Sequence, residues 1–377
     1  MSGLYLHIPF CRQACHYCNF YFSTSLKYKE EMVAAIAKEI RLRKNYLPDE
    51  PLQSVYFGGG TPSLLSATDL DILFKAITDS FQIKDDAEIT LEANPDDISP
   101  LRLRDWYYSP INRLSIGIQS FVETDLRYMN RAHSAKEAEY CIHMAQMAGF
   151  SNLTVDLIYG TPGLSDENWK ANVQKLIDAS VPHISCYALT VEPKTALAHQ
   201  VKVGTSPPVD EEQAARQFEL LMQWLTDAGY LHYEISNFAL PNKMAVHNSN
   251  YWRSEPYLGV GPSAHSFNGS SRQWNVANNA AYMKALQETP SAADFSGKLY
   301  EEEQLSPADR YNEYVMTGLR TSWGVDLNKI DEPFRRHFLT KIHHYIDDKL
   351  INKNNNNYSL TPQGRLLADR IASDIFY

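Results

Sequence analysis

Three cysteines fall within one short segment, Cys11-Arg12-Gln13-Ala14-Cys15-His16-Tyr17-Cys18. Thiolates are soft ligands, and such close spacing suits an iron-sulfur cluster or zinc. A four-iron cubane on three cysteines leaves one iron without a protein ligand, and that open position is what a reactive small molecule needs. A zinc ion would need a fourth ligand, for which His7 and His16 are the candidates. The motif by itself favours a cluster and leaves zinc open. The other two cysteines, Cys141 and Cys186, have no partner spacing and read as buried core thiols. An odd total with three crowded together fits metal binding better than a disulfide frame.

Further polar residues recur along the chain. Val55-Tyr56-Phe57-Gly58-Gly59-Gly60-Thr61-Pro62 runs a strand into three glycines, where main chain without Cβ lets a ligand approach the backbone. A tight turn explains an isolated triplet equally well; one strand after the cysteines, the triplet points to a ligand pocket. Glu92, Gln119, Arg131 and Asp156 each sit at or near the end of a β-rich run. Taken singly, each reads as a solvated or structural residue. His247-Asn248-Ser249-Asn250-Tyr251-Trp252 places a histidine beside two aromatic rings. A neutral imidazole is a good axial ligand for heme iron, although a histidine among aromatics is by itself more often a packed core residue. His265 is a second candidate near a cofactor, and Met144 and Met147 read as packing residues.

The elements that must position these residues are short β-rich runs at Leu4 to Ile8, Ser54 to Phe57, Glu88 to Leu91, Arg113 to Ile118, Leu153 to Ile158 and His183 to Leu189. Helical stretches separate them, and Met32, Ala35, Ile36 and Ile40 lie at helical spacing in the first. The alternation predicts parallel strands with helical crossovers, and chemistry just after strands is where an α/β barrel builds its site. Beyond about Pro290 the pattern predicts helices over Glu301 to Leu319 and Leu327 to Leu350, then a hairpin around Asn354 to Asn357 and a helix from Thr361-Pro362. The expected division is a barrel domain over 1–285 and a helical, winged-helix-like domain over 286–377.

With 35 basic and 45 acidic side chains the formal charge is -10, which argues against nucleic acid as a partner. The N-terminus has no secretory pattern, and no run approaches the ~18 apolar residues of a membrane span. A cytoplasmic protein is the expectation, with a peripheral membrane contact and a homodimer left open.

The C-x3-C-x2-C spacing with an aromatic, Tyr17, before the last cysteine resembles the radical S-adenosylmethionine superfamily. That resemblance implies a 4Fe-4S cluster on Cys11, Cys15 and Cys18, whose open iron takes S-adenosylmethionine and whose reduced form cleaves it to a 5'-deoxyadenosyl radical. It also implies a partial, open (β/α)6 TIM-like barrel. The order of polar residues is similar to the coproporphyrinogen III oxidase-like branch. By position, this makes Tyr5, Tyr17, Gly59, Gly60, Thr61, Glu92, Gln119, Arg131, Asp156 and Ala188 the cofactor contacts, with Arg131 pairing the carboxylate. The oxidases themselves carry one more cysteine where this chain has Phe20, and a long N-terminal extension where only four residues precede Tyr5. With Phe20 and the H-N-x-x-Y-W motif intact, the chain resembles the HemW-type heme chaperones. That implies heme as ligand, with His247, Tyr251 and Trp252 as heme contacts, and heme-accepting proteins as partners. The alternative is an oxygen-independent coproporphyrinogen III oxidase.

Overall fold

The computed structural model describes residues 2–288, 295 and 297–377. Six strands, β1 (Ser2–Ile8), β2 (Leu52–Gly59), β3 (Ile83–Ala93), β4 (Arg113–Gln119), β5 (Leu153–Tyr159) and β6 (His183–Ala188), pair in parallel and in sequence order. Between them run α1 (Lys29–Leu42), α2 (Ala67–Ser80), α3 (Pro100–Tyr107), α4 (Glu123–Tyr128), α5 (Ala135–Met147) and α6 (Asp166–Asp178). Local chemistry sets these boundaries. Ser66 with Asp69, and Ser134 with Glu137, form capping boxes that satisfy the first amides of α2 and α5. Along α1, Met32, Val33, Ile36, Ala37 and Ile40 make one buried stripe.

After α7 (Ala196–Lys202) and α8 (Glu211–Asp227), the antiparallel pair β7 (Leu231–Glu234) and β8 (Asn237–Ala239) extends the sheet beyond β6. Helix α9 (Val246–Trp252) follows, and then β9 (Tyr257–Val260) pairs in parallel with β1. Strands β10 (His265–Phe267) and β11 (Ser271–Asn275), helix α10 (Asn279–Glu288) and strand β12 (Tyr300–Gln304) complete the barrel side. The sheet has twelve strands with β12 and β7 at its edges, and among the described residues no ladder joins them, so the βα core is an open, partial barrel.

Strand side chains divide cleanly between its two faces. Leu4, Leu6, Val55, Phe57, Leu91, Leu114, Ile116, Val155, Leu157 and Ile184 belong to one apolar core. Their alternates, Tyr5, His7, Tyr56, Glu92, Arg113, Ser115, Thr154, Asp156, His183 and Ser185, face a hollow inside the barrel. Period-two alternation puts every second residue on one face of a strand. In this barrel the inner face is polar and incompletely filled.

The C-terminal unit has its own core, running from Tyr311 to Ile375. It comprises α11 (Pro307–Leu319), β13 (Val325–Asp326), α12 (Phe334–Asp347), β14 (Ile351–Asn354), β15 (Asn357–Leu360), α13 (Pro362–Arg365) and α14 (Ala368–Ile375), with sheet order β13-β15-β14. The hairpin and the Thr361 cap stand where the sequence places them. The two long helices start later than expected. Residues 300–304 are instead an edge strand on β11, and α11 begins only where Ser306 caps and Pro307 supplies the first helical φ. Pro333 likewise precedes α12, since proline is tolerated at a helix start and not inside. The change of pattern near Pro290 lies outside the described residues. Arg272 of β11 grips Glu313 of α11 with two hydrogen bonds of 2.5 and 2.9 Å, Glu234 bridges Thr321, and Arg365 donates to the carbonyl of His232 at 3.2 Å.

Candidate functional site

The cysteine loop leaves the C-terminal end of β1 and is tied down by its backbone. Cys11 N–H donates to Ser23 O at 3.0 Å and His16 N–H to Met129 O at 3.1 Å, while Asn130 Nδ2 donates to Ala14 O at 2.7 Å. The three thiols are half-buried and line a cavity of about 410 Å3. Tyr17, Gly59, Gly60, Thr61, Glu92, Gln119, Arg131, Asp156 and Ala188 share that wall. Tyr5 does not; it lies in the wall of the adjoining larger chamber, its hydroxyl 3.1 Å from His7 Nδ1.

The residues fit a bound cluster with a polar ligand beside it. Burial pushes the Cys11 thiol up to about 11 and raises Cys18 as well, so thiolate there requires a positive partner such as iron. Arg131 donates to Cys15 Sγ at 3.3 Å, to Asn94 Oδ1 at 2.8 Å and to the Gly117 carbonyl at 2.6 Å. Its Nε is buried and has no hydrogen-bond partner among the described residues, an orphan donor beside the cavity. Glu92 accepts from Tyr56 hydroxyl at 2.7 Å and from Gly59 N–H at 3.2 Å. Burial lifts its carboxyl to about 7 against those hydrogen bonds, with Asp156 adding repulsion; burial likewise lifts Asp156 to about 6. Two carboxylates held this high would favour a positively charged ligand.

The glycines have a second reason to be glycine. A Cβ on Gly59, where φ is +104°, would stand 2.6 Å from the His7 ring, and one on Gly60 would stand 2.6 Å from the Phe10 carbonyl oxygen. Close packing on the exit of β1 therefore demands them whether or not a ligand is present. The tight-packing reading of the triplet holds in this structure, and Gly59 and Gly60 also line the cysteine cavity.

The larger chamber, about 760 Å3, shares Asn19, Phe20, Glu92, Ser115, Asp156 and Tyr187 with the first, so the two are neighbours across one wall. Phe20 is 66% exposed at that wall. His247, Tyr251 and Trp252 line the chamber from α9. That helix packs on the N-terminal ends of the strands, opposite the cysteine loop: Val246 and His247 N–H donate to Glu88 at 2.9 and 3.0 Å, and His247 Nδ1 lies 2.8 Å from Ser54 Oγ. The imidazole stacks on Tyr56, and burial holds it down at about 4, Arg113 adding to this and Glu88 opposing it. Tyr251 leans on Tyr257, and Arg320 of the C-terminal unit covers the Trp252 ring at 5.3 Å. His265 also reaches the chamber.

The chain's sequence and fold place it among known proteins. Residues 5–176 match the radical SAM superfamily model, and residues 305–367 match the HemN C-terminal domain. Heme chaperone HemW of Mycobacterium tuberculosis is 34% identical over 98% of this chain and 93% of its own length. HemW of Bacillus subtilis is 32% identical over 98% of both chains. The chain belongs to the HemW heme chaperone family. A mitochondrial radical S-adenosyl methionine domain-containing protein 1 of Mus musculus is 37% identical over 70% of this chain and 60% of its own. The solved coproporphyrinogen III oxidase of Escherichia coli superposes with a TM-score of 0.85 over 100% of this chain and 90% of that one, at 24% identity. That likeness is one of fold and covers the C-terminal unit as well as the barrel.

HemW membership leaves several chamber residues unexplained by motif. Arg113, Thr154 and His183 line the chamber floor, with Glu88 and Ser54 buried behind them: Arg113 pairs with Glu88 at 3.6 Å and donates to Thr90 and Thr154, His183 bridges Thr154 and Tyr233 at 3.0 and 2.8 Å, and Ser54 bonds His247. Their signal in the sequence is strict polar-apolar alternation in strands that a doubly covered parallel sheet would fill with apolar residues.

Proposed function

We propose that the protein is a heme-binding chaperone that takes heme in the larger chamber and passes it to heme-accepting proteins. The placement of His247 carries this reading. Its Nδ1 is held by Ser54, while Nε2 has no hydrogen-bond partner among the described residues on a chamber of about 760 Å3. That volume is in the range of ~300–1,000 Å3 usual for small-molecule and cofactor sites. A ring whose proton affinity is depressed stays neutral at ordinary pH, which is the form that ligates iron. The name heme chaperone attaches to relatives matching almost the whole chain, which supports carrying the role across. Tyr251 and Trp252 would flank the macrocycle.

In the smaller cavity, Cys11, Cys15 and Cys18 would hold a 4Fe-4S cluster. Tyr17, Gly59, Gly60, Thr61, Glu92, Gln119, Arg131, Asp156 and Ala188 would contact S-adenosylmethionine, with Tyr5 reaching it from the chamber side. When bound, the cluster supplies low-potential one-electron chemistry at an iron without a protein ligand. The chain's own contribution is to hold: Glu92 offers a carboxylate fixed by Tyr56 and Gly59, and Arg131 an unsatisfied donor beside Cys15. No described helix is long and apolar enough to cross a membrane. Action in the cytoplasm, without nucleic acid, belongs to the same proposal.

Heme titration of anaerobically reconstituted protein tests it. A Soret band that His247→Ala weakens is expected; absence of a stable heme complex in the parent protein would sink the proposal. Coproporphyrinogen III added to the same sample should return without decarboxylation. Formation of protoporphyrinogen IX would instead place this chain with the oxidases, despite Phe20.

A further inference from the structure

The neighbours of His247 give this reading of the chamber a finer structure. Ser54 is fully buried on β2, and its hydroxyl has one hydrogen-bond partner among the described residues, His247 Nδ1 at 2.8 Å. A Cβ on Gly3 would come within 3.1 Å of Ser54 Oγ and 3.3 Å of the His247 ring, so β1 closes the other side of this contact. Glu88, also buried, receives the backbone N–H groups of Val246 and His247 on separate carboxylate oxygens, at 2.9 and 3.0 Å. Arg113 stands 3.6 Å behind it. Tyr56 stacks on the imidazole face with centroids 5.1 Å apart and planes 28° from parallel. The ring is thus fixed at its backbone, at one nitrogen and on one face, and only the Nε2 edge is left toward the chamber.

We propose that Ser54 is the positioning residue of His247: its oxygen accepts the Nδ1 proton and so fixes the tautomer whose Nε2 lone pair faces a chamber ligand, with Glu88 anchoring the backbone beneath it. The inference rests on His247 being a heme ligand. Histidine ligands to metals commonly donate their second ring proton to an outer partner, which sets tautomer, orientation and basicity, and removing such partners costs roughly 10- to 100-fold in affinity. Carboxylate or carbonyl is the usual partner. Here it is a neutral hydroxyl, a weaker acceptor, which leaves the iron-imidazole bond labile, as suits a protein that must give its cargo up.

The experiment compares heme-loaded full-length protein with Ser54→Ala, Ser54→Thr and His247→Ala. The iron-imidazole stretch of the ferrous form is read by resonance Raman, and heme affinity by titration. Loss of the hydrogen bond in Ser54→Ala should lower the stretching frequency and weaken heme binding by about tenfold. Ser54→Thr, which keeps the hydroxyl, should restore both. His247→Ala should abolish the band. An unchanged spectrum in His247→Ala overturns both the ligand and the positioning reading. A changed spectrum in His247→Ala with parent-like frequency in Ser54→Ala overturns the positioning alone. Should Ser54→Ala fail to fold, a lowered frequency in Ser54→Thr despite its retained hydroxyl overturns the hydrogen-bond reading, and a parent-like frequency supports it.

Discussion

Tyr56 stacks its ring on His247, with centroids 5.1 Å apart, while its hydroxyl donates to Glu92 at 2.7 Å. One side chain therefore touches the candidate heme ligand with its face and the candidate S-adenosylmethionine contact with its tip. The two functions are separable by substitution. Tyr56→Phe keeps the ring and removes the donor, and hydrogen bonds to charged groups contribute ~1.5–3 kcal/mol. S-adenosylmethionine affinity should fall about tenfold by equilibrium dialysis, while heme affinity stays within about twofold. Equal losses of both ligands would refute the division.

The raised carboxyls make the ligand-free protein sensitive to pH in a definite direction. Glu92 binds its proton more tightly folded, at about 7, than unfolded, near the ordinary carboxylate range of ~4.3. Its contribution to stability is present below that range and is lost as pH rises toward 7. Asp156, lifted to about 6, acts in the same sense. The melting temperature of ligand-free protein should therefore be depressed between pH 5 and pH 7 relative to Glu92→Gln, whose side chain cannot ionise. Parallel curves for the two proteins across that window would refute the assignment.

Cysteine substitutions should fall into two groups. Cys11, Cys15 and Cys18 line the cavity half-buried, whereas Cys186 is fully buried in the barrel core. Replacing any of the first three with Ala should remove bound iron and acid-labile sulfide with little change in ligand-free melting. Cys186→Ser should do the reverse, burying an unmatched hydroxyl at a cost of ~1–3 kcal/mol while retaining iron. Metal analysis paired with urea unfolding separates the groups.

Gly59→Ala places a side chain at φ +104° and against the His7 ring. Such a conformation costs of order 1–3 kcal/mol in a residue with a Cβ. Because His7 Nε2 also bonds the Tyr21 carbonyl at 2.8 Å, the displaced ring should loosen the return of the cysteine loop. The variant should be destabilised and reconstitute its cluster poorly. Full iron loading at parental stability would show that the loop tolerates the shift.

The sequence was most readable where one residue type has few uses. Cysteine spacing, the glycine triplet and the strand ends after β1 to β6 all depend on local order, and they converge on one cavity in space. Tyr5 lines the larger chamber and not the cysteine cavity, a distinction that strand position alone does not draw, because it does not say how far below the rim a side chain sits. The polar set of Arg113, Thr154 and His183 on the chamber wall, with Ser54 and Glu88 buried behind it, is not legible in the sequence because each lies within a strand, away from any motif, and acquires meaning only when the strands curve around a common hollow. Residues 301–304 read as the start of a helix, since a run of glutamates carries helical preference, and an edge place on β11 overrides it. That α9 would carry the H-N-x-x-Y-W residues to the strands' N-terminal ends was not legible at all, because it depends on a long-range return of the chain.

The ties from the C-terminal unit run to residues that also wall or support the chamber: Arg272 to Glu313, Trp252 beneath Arg320, and the strand end at Glu234 bridging Thr321. Two hydrophobic cores so joined share their cooperativity. Unfolding the smaller one strips a side from the chamber, and by linkage a molecule bound in the chamber stabilises residues far from it. Amides of α11 and α14 should then gain protection from hydrogen exchange when heme is added, which makes the remote unit a reporter of whether the cargo is aboard.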